Sequence, residues 1–215
     1  MQLVADKLAV DRGERSIFSG LSFSVPAGAA LVVTGPNGAG KSTLVKAIAG
    51  FLPAASGTVR LEELAGEAAE RPLAEHCHYL AHDNALKAQL TVAENLGFWQ
   101  RFLGPSAGMD IAAALEAVGL PGIGELPAGY LSAGQKRRVA IARLLVTQRP
   151  VWLVDEPTAA LDKASEARFA ELASAHVDAG GILVAATHQT LGLADHQSLD
   201  MTRFASVPAN GAVPA

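Results

Sequence analysis

The sequence has few of the features that mark secreted, membrane-spanning or nucleic-acid-binding proteins. A single cysteine, Cys77, excludes an intrachain disulfide framework and fits a reducing compartment. No uninterrupted apolar stretch approaches the roughly 20 residues that cross a bilayer, and the first residues lack the basic and apolar regions of a signal peptide. We therefore expect a soluble protein that is not fused to a membrane-spanning half.

Basic character is also scarce. The net charge is -4, and the one basic triplet is Lys136, Arg137 and Arg138. A solvated helix face accounts for this triplet, so nucleic acid is not expected as a partner. The length of 215 residues suits one large domain or one core with a subdomain.

A glycine-rich segment follows the apolar run at residues 30–33 and precedes a helical pattern. It reads Gly35, Pro36, Asn37, Gly38, Ala39, Gly40, Lys41, Ser42 and Thr43. The glycines let successive N–H groups surround phosphate oxygens, and the following helix directs its positive end at them. Lys41 is expected to neutralise the outer phosphates, and the Ser42 hydroxyl to bind Mg²⁺. The segment predicts a site for a nucleoside triphosphate.

Short apolar runs predict strands, and 3.6-residue periodicity predicts helices. The predicted strands lie at residues 3–5, 7–10, 21–25, 30–33, 57–61, 77–80, 151–154 and 182–185. Helices are expected at residues 42–49, from Thr91, at residues 111–118, from Ser132 to Leu145, and around Phe169. The runs at 151–154 and 182–185 are typical of strands buried on both faces of a parallel sheet. We expect one domain over residues 1–204, with a helical insertion at about 84–148 and a disordered tail at 205–215.

Two adjacent carboxylates, Asp155 and Glu156, follow the predicted buried strand at 151–154. Ligands gather at the carboxyl ends of the strands in α/β sheets. Asp155 is expected to hold Mg²⁺, directly or through water, and Glu156 to orient or deprotonate the water that attacks the γ-phosphate. An acidic turn before Pro157 is the alternative, and the phosphate loop upstream makes it the weaker one.

A second phosphate-binding candidate begins another helix. Its residues are Leu131, Ser132, Ala133, Gly134 and Gln135. A serine and small residues at a helix start leave N–H groups available to an anion. Taken alone, the segment is better explained as an ordinary helix cap.

These motifs occur, with Ala160-Leu161-Asp162 and Thr187-His188, in the order found in ATP-binding subunits of ATP-binding cassette (ABC) transporters. The sequence resembles that family over about residues 1–200. The resemblance implies an α/β fold: a P-loop NTPase (RecA-like) core with an antiparallel β layer and an inserted α-helical signature subdomain. It also implies an ATPase that uses ATP and Mg²⁺.

The same resemblance assigns roles to further residues. The catalytic residues that it implies are Lys41, Glu156 and His188, and His188 is expected to contact the γ-phosphate. Asp162 belongs to a loop that communicates between protomers.

The family arrangement also implies a head-to-tail homodimer. Ser132, Gly134 and Gln135 of one copy close on the ATP that Lys41 of the other copy holds.

The sequence departs from the family pattern at three places. Ala133 stands where the family most often has glycine. Arg12 occupies the region of the usual adenine-stacking aromatic, and its guanidinium plane is the candidate for that contact. His82, nine residues before Thr91, stands at the position of a glutamine that contacts Mg²⁺, so His82 or Asp83 is the candidate there.

Less specific marks are similar to one subgroup, the haem exporter of bacterial c-type cytochrome biogenesis. They are residues 12–23, His82 with Lys87, residues 90–99, and Ala133 in the signature. The subgroup implies a peripheral protein on the cytoplasmic face of the inner membrane, with cytochrome c maturation proteins B and C as membrane partners.

Other functions remain as alternatives. One is the ATPase subunit of another small-substrate ABC exporter, and a less favoured one is a soluble ABC-type switch protein. A P-loop kinase or GTPase would leave Ser132 and Asp162 without a purpose.

The triplet His76, Cys77 and His78 is the one sequence feature that invites a haem or metal site. Strand alternation places both histidines on one face and Cys77 on the other, so the three do not converge on one ion. We therefore expect no direct haem binding by this chain.

Overall fold

A computed structural model describes residues 1–64, 66–104 and 108–204 of the chain. The strands are β1 (Gln2–Arg12), β2 (Arg15–Pro26), β3 (Ala29–Thr34), β4 (Ser56–Glu62), β5 (Cys77–Leu80), β6 (Val151–Asp155), β7 (Ile182–Ala186) and β8 (Gln197–Asp200). The α-helices are α1 (Lys41–Ile48), α2 (Val92–Phe102), α3 (Ile111–Ala117), α4 (Ala133–Ala142) and α5 (Lys163–Asp178). The tail predicted at 205–215 lies outside the described residues.

Two sheets organise these elements. Strands β2, β1 and β4 form an antiparallel sheet with β1 in the centre, and β5, β6, β7, β3 and β8 form a parallel sheet in that order. β6 and β7 are buried along their whole length, as their bare apolar sequences predict. The expected antiparallel layer and parallel core are confirmed.

β1 differs from the prediction of two separate strands. It is one strand whose pairing with β2 shifts between Ala5 and Leu8, where Lys7 adopts a φ of 47°. Leu3 and Ala5 are out of phase with Leu8 and Val10, and the irregularity at Lys7 lets all four face the core. A bulge therefore joins the two predicted segments.

Two apolar clusters cover the opposite faces of the parallel sheet. Trp152 and Val154 pack in one cluster with residues of α2, α3, α4 and α5. Val151 and Leu153 pack in the other with α1 and the antiparallel sheet. This alternation follows the two-residue repeat of a strand, and it makes the parallel sheet the central layer.

The helices between β5 and β6 follow the sequence signals with one exception. Thr91 and Glu94 form the predicted capping box at the start of α2. α4 ends at Ala142, three residues before the predicted Leu145. There the backbone changes to shorter-range bonds, such as Leu145 N to Ala142 O, and the Leu145 carbonyl accepts from Met109 N. Among the described residues, none of the helices is long and apolar enough to traverse a membrane.

Candidate nucleotide site

The predicted phosphate loop connects the carboxyl end of β3 to the start of α1. Gly40 has a φ of 97°, and a Cβ there would lie 3.0 Å from Ile17 Cγ2, so the turn requires glycine. The first backbone bond of α1 runs from Leu44 N to Gly40 O. The N–H groups just before Leu44 therefore lie outside the helical ladder, where they can face an anion.

Lys41 is the cation of this loop. Its ammonium donates to Gly35 O at 2.7 Å and to Pro36 O at 3.2 Å, and the side chain is buried. The positive charge is therefore held against the loop by two neutral carbonyls, which suits it to binding phosphate oxygens.

Ser42 and Asp155 meet although 113 positions separate them. The Ser42 hydroxyl donates to Asp155 Oδ1 at 2.9 Å, and Asp155 is buried at the end of β6. A hydroxyl and a carboxylate oxygen are hard ligands of the kind that Mg²⁺ prefers. These two residues of the predicted metal set fit the ion.

His82, the third predicted metal residue, is placed differently. It is exposed, and it is not among the residues that line the cavity beside the phosphate loop. Its backbone carbonyl instead faces the guanidinium of Arg137 at 3.5 Å. The structure thus brings Ser42 and Asp155 together and leaves the His82 side chain apart.

Glu156 contacts two residues that follow β7. Its Oε1 lies 3.0 Å from His188 Nδ1, and its Oε2 accepts from the Thr187 hydroxyl at 3.2 Å. Glu156 has a φ of 45°, a left-handed conformation that costs a non-glycine residue about 1–2 kcal/mol. The fold holds this carboxylate in a strained but well-partnered position. Thr187 was recognised as part of the Thr187-His188 motif, but its contact with Glu156 was not predicted.

A cavity of about 500 Å³ lies between the β1–β2 hairpin, the phosphate loop and Glu156. It is lined by Arg12, Arg15, Ile17, Asn37, Gly38, Gly40, Lys41, Ser42, Thr43 and Glu156. Arg12 and Arg15 pair across the hairpin between β1 and β2. Arg12 therefore lies at the cavity, as expected of a residue that contacts a base. Arg15 was missed, although the Gly13 turn between them predicts that the two arginines lie side by side.

The signature segment caps α4 as a capping box. Gln135 N donates to Ser132 Oγ at 3.2 Å, and Ser132 N donates to Gln135 Oε1 at 2.9 Å. A Cβ on Gly134 would lie 2.9 Å from Ala160 O, so glycine allows a close approach there. None of the described residues that line the cavity belongs to this segment. Within one chain, the signature segment therefore does not contribute to the cavity beside the phosphate loop.

Asp162 caps the start of α5. Its Oδ1 accepts from Ser165 N at 2.8 Å. Hydrogen bonds from the Ser165 hydroxyl and N–H hold the pKa of Asp162 below its ordinary value, so this exposed side chain is ionised at neutral pH.

The basic triplet is not a solvated face throughout. Lys136 and Arg138 are partly exposed, but Arg137 is only 2% exposed. The expectation was wrong for Arg137, because α4 packs this side chain inward against the loops that follow β5 and β6.

His76, Cys77 and His78 are all buried. Cys77 packs in the cluster beneath the antiparallel sheet, whereas His78 Nε2 lies 2.6 Å from Thr147 O. His76 ends a short 3-10 helix rather than belonging to β5. Among the side chains that the structure describes, no three His, Cys, Asp or Glu residues are grouped as a metal site.

Comparisons with known proteins agree with this geometry. Residues 18–159 match the ABC transporter family. The chain is 56% identical over 207 residues to the cytochrome c biogenesis ATP-binding export protein CcmA of Rhizobium meliloti (strain 1021), covering 95% of this chain and 99% of that protein.

Solved structures share the fold. An ABC transporter ATP-binding protein from Pyrococcus furiosus has a TM-score of 0.82 at 20% identity, covering 96% of this chain and 100% of that one. A bacterial Atm1-family ABC exporter with ATP bound has a TM-score of 0.76 at 26% identity, covering 93% of this chain and 37% of that one. The chain belongs to the ABC transporter family, as an ATPase that binds ATP.

Proposed function

We propose that the chain is the ATP-hydrolysing subunit of an inner-membrane export complex that serves cytochrome c biogenesis, with haem export as its task. The observation that carries the proposal is 56% identity, over nearly the whole of both chains, to a protein named as an ATP-binding export protein of cytochrome c biogenesis. The pairing of Glu156 with His188 beside the phosphate loop supports it chemically.

In the proposed reaction, Glu156 orients the attacking water and accepts its proton. The water oxygen forms a bond to the γ-phosphorus, and the bond to the oxygen bridging the β- and γ-phosphates breaks, leaving ADP and phosphate. Lys41 and the loop N–H groups stabilise the charge on the phosphates. His188, whose Nδ1 lies 3.0 Å from Glu156 Oε1, is the second residue proposed to contact the γ-phosphate.

Ser42 and Asp155 are the residues that would hold Mg²⁺. The ion would neutralise charge on the β- and γ-phosphate oxygens. The 2.9 Å contact between the two side chains supports this assignment, because it keeps both oxygen ligands at the same end of the loop.

The working form is proposed to be a homodimer. The signature residues do not line the cavity of their own chain, so Ser132, Gly134 and Gln135 are free to close on ATP held by a second copy. Asp162, exposed at the start of α5, is suited to contact that copy. ATP would then join the two subunits, and hydrolysis would release them.

An apolar groove of about 500 Å³ between the sheet and α2 is the proposed seat for a membrane subunit. It is lined in part by Phe51, Tyr79, Trp99, Phe102 and Leu103. Phe51 and Phe102 are 66% and 68% exposed, and exposed apolar patches commonly mark interaction sites. Cytochrome c maturation proteins B and C are the proposed partners, which would hold this chain at the cytoplasmic face of the membrane.

Co-purification from detergent-solubilised membranes tests the proposal. We expect integral membrane subunits to be recovered with the tagged chain, and Phe102→Ser to reduce their recovery. Leu126→Ser is the matched control, since Leu126 is also exposed but lies outside the groove. Recovery of ribosomes without membrane proteins would contradict the proposal.

A cellular assay tests the export task. In a strain lacking the chain, Glu156→Gln should fail to restore covalently haem-bound c-type cytochromes, whereas wild type should restore them. Full restoration by Glu156→Gln would show that cytochrome assembly does not require ATP hydrolysis by this chain. Normal cytochromes in the strain without the chain would favour another small-substrate exporter.

A further inference from the structure

Arg137 is a buried arginine that α4 places behind the catalytic carboxylate. Its Nε donates to Pro157 O at 2.9 Å, and its Nη2 donates to Asp155 O at 2.9 Å and to Glu156 O at 2.8 Å. Three consecutive carbonyls therefore converge on one guanidinium.

This convergence requires an unusual backbone. In an extended strand, successive peptide groups point to opposite sides, so three in a row cannot face the same cation. The left-handed conformation of Glu156, with a φ of 45°, supplies the turn that brings them together. The guanidinium thus fixes the strained backbone from which the Glu156 side chain projects.

The same guanidinium also holds the loop after β5. Its Nη1 donates to Ala81 O at 2.6 Å and to Asn84 Oδ1 at 3.2 Å, with His82 O at 3.5 Å. Ala81 also lines the apolar groove beside α2, as does Asp83. One face of the 81–84 loop therefore meets Arg137, and another meets the groove.

All of these acceptors are uncharged. Arginine has five N–H donors in a planar fork, and the six contacts occupy all three of its nitrogens. Burial lowers the pKa of Arg137 to about 10, so the group is still charged at neutral pH. A fully bonded buried cation of this kind sets the relative position of whatever it bonds to.

On the basis of the ATPase function proposed above, we propose that Arg137 is a positioning residue that fixes the 81–84 loop and the backbone of Glu156 in one arrangement. It touches neither substrate nor metal in this role. It acts through Glu156, and it makes the orientation of that carboxylate depend on the loop that lines the groove.

Another buried arginine of the same segment shows what makes Arg137 distinct. Arg143 donates to Tyr79 O at 2.6 Å and lies 4.5 Å from the centre of the Trp99 ring. Both of these contacts lie on β5 and α2. Burial alone therefore does not define the role; the bonds to both loops do.

The test compares Arg137→Lys with Arg138→Gln in the complex with its membrane subunits. Lysine keeps the charge but replaces the fork with a single nitrogen, so it cannot bond both loops. We expect kcat per nucleotide-binding site to fall about 10- to 100-fold, with KM for ATP changed less than twofold. Arg138, which bonds Gly119 O, is the control on the same helix, and its variant should retain wild-type kcat.

A double-mutant cycle separates positioning from general damage. In a Glu156→Gln background, Arg137→Lys should lower the residual rate no further, because its effect passes through Glu156. An equal loss in both backgrounds would assign Arg137 a purely structural role and overturn the proposal. So would a folded Arg137→Lys protein with wild-type kcat.

If Arg137→Lys does not fold, a milder variant tests the same contact. Asn84→Ala removes one acceptor of the guanidinium from a partly exposed loop, and we expect kcat to fall about two- to threefold with KM unchanged. Wild-type kcat in Asn84→Ala would then overturn the proposal. Absence of ATP hydrolysis in the wild-type complex would instead refute the proposed function itself.

Discussion

The two edges of the parallel sheet hold polar side chains in opposite ways. At the carboxyl edge, Ser42 bonds Asp155 and His188 bonds Glu156, and three of these four side chains keep some exposure. These groups are paired with one another, and Ser42 and Glu156 also line the neighbouring cavity.

At the amino edge, polar groups are withdrawn from water. Burial lowers the pKa of His78 to about 3 and also lowers the pKa of His176. Among the described residues, His76 Nε2 and Arg149 Nε are buried without a hydrogen-bond partner. Such groups cost stability, about 1–3 kcal/mol for each unsatisfied atom. We therefore expect the carboxyl edge to control the rate of ATP hydrolysis and the amino edge to control the free energy of unfolding.

The largest effect that tests this division is expected from Glu156→Gln. Glutamine has the shape of glutamate but cannot accept a proton from water, so kcat should fall about 10²- to 10⁴-fold. The free energy of unfolding should change by less than about 0.5 kcal/mol, because the side chain lies at the cavity rather than in the core. Single-turnover hydrolysis and urea denaturation measure the two quantities.

Lys41→Ala is the control for Glu156→Gln. It should lose ATP binding, whereas Glu156→Gln should bind ATP and accumulate as a closed dimer in size-exclusion chromatography with ATP. Wild-type turnover in either variant would contradict the division. If Glu156→Gln contains only one copy of the chain when it elutes in the presence of ATP, the proposed dimer is contradicted.

A smaller effect is expected from Thr187→Val. The Thr187 hydroxyl donates to Glu156 Oε2 at 3.2 Å and accepts from Gln189 N at 3.0 Å. Valine has the same shape without the hydroxyl, so Glu156 loses one partner, and kcat should fall about tenfold, which corresponds to about 1.4 kcal/mol.

Thr187→Ser is the matched control for this prediction. Serine keeps the hydroxyl and should restore most of the rate, because the bond rather than the methyl group holds the carboxylate. Equal kcat values in the valine and serine variants would show that the Thr187 hydroxyl does not position Glu156. His188 would then be the contact that holds the carboxylate.

The carboxyl edge was the more predictable of the two from sequence. The loop at 35–42 and the pair Asp155 and Glu156 are local patterns whose backbone chemistry is fixed by the residues themselves. β6 and β7 were predicted because continuous apolar runs are buried on both sides. By contrast, β8 is a short polar strand, mostly exposed, and no periodicity marks it.

What sequence could not supply are contacts made across long separations. Arg137 reads as part of a basic surface triplet, and only the packing of α4 turns it toward loops more than 50 positions upstream and about 20 downstream. His78 reads as one member of a metal-like triplet, and only its burial in the folded chain, where its ring lies 2.6 Å from Thr147 O, makes it a neutral core residue. In both cases tertiary packing overrides what the residue type indicates locally.

The smallest effect should appear at the amino edge, as a dependence of stability on pH. His78 has a pKa of about 3 in the folded chain and about 6.5 when unfolded. Below pH 6.5 the unfolded chain therefore binds a proton that the folded chain does not, so the free energy of unfolding falls as pH falls toward 3. The full slope is about 1.4 kcal/mol per pH unit, and the loss between pH 7 and pH 5.5 should be about 1 kcal/mol.

His78→Gln should flatten part of this dependence, because glutamine can donate to Thr147 O and does not titrate. His176 shifts in the same direction, so a residual slope should remain. His82→Gln is the matched control, because it makes the same substitution at an exposed position. Urea denaturation at pH 5.5 and 7 measures all three chains. If His78→Gln keeps the wild-type dependence of the free energy of unfolding on pH, burial of the His78 imidazole does not control stability. The proposed division between a rate-controlling edge and a stability-controlling edge would then be wrong for the amino edge.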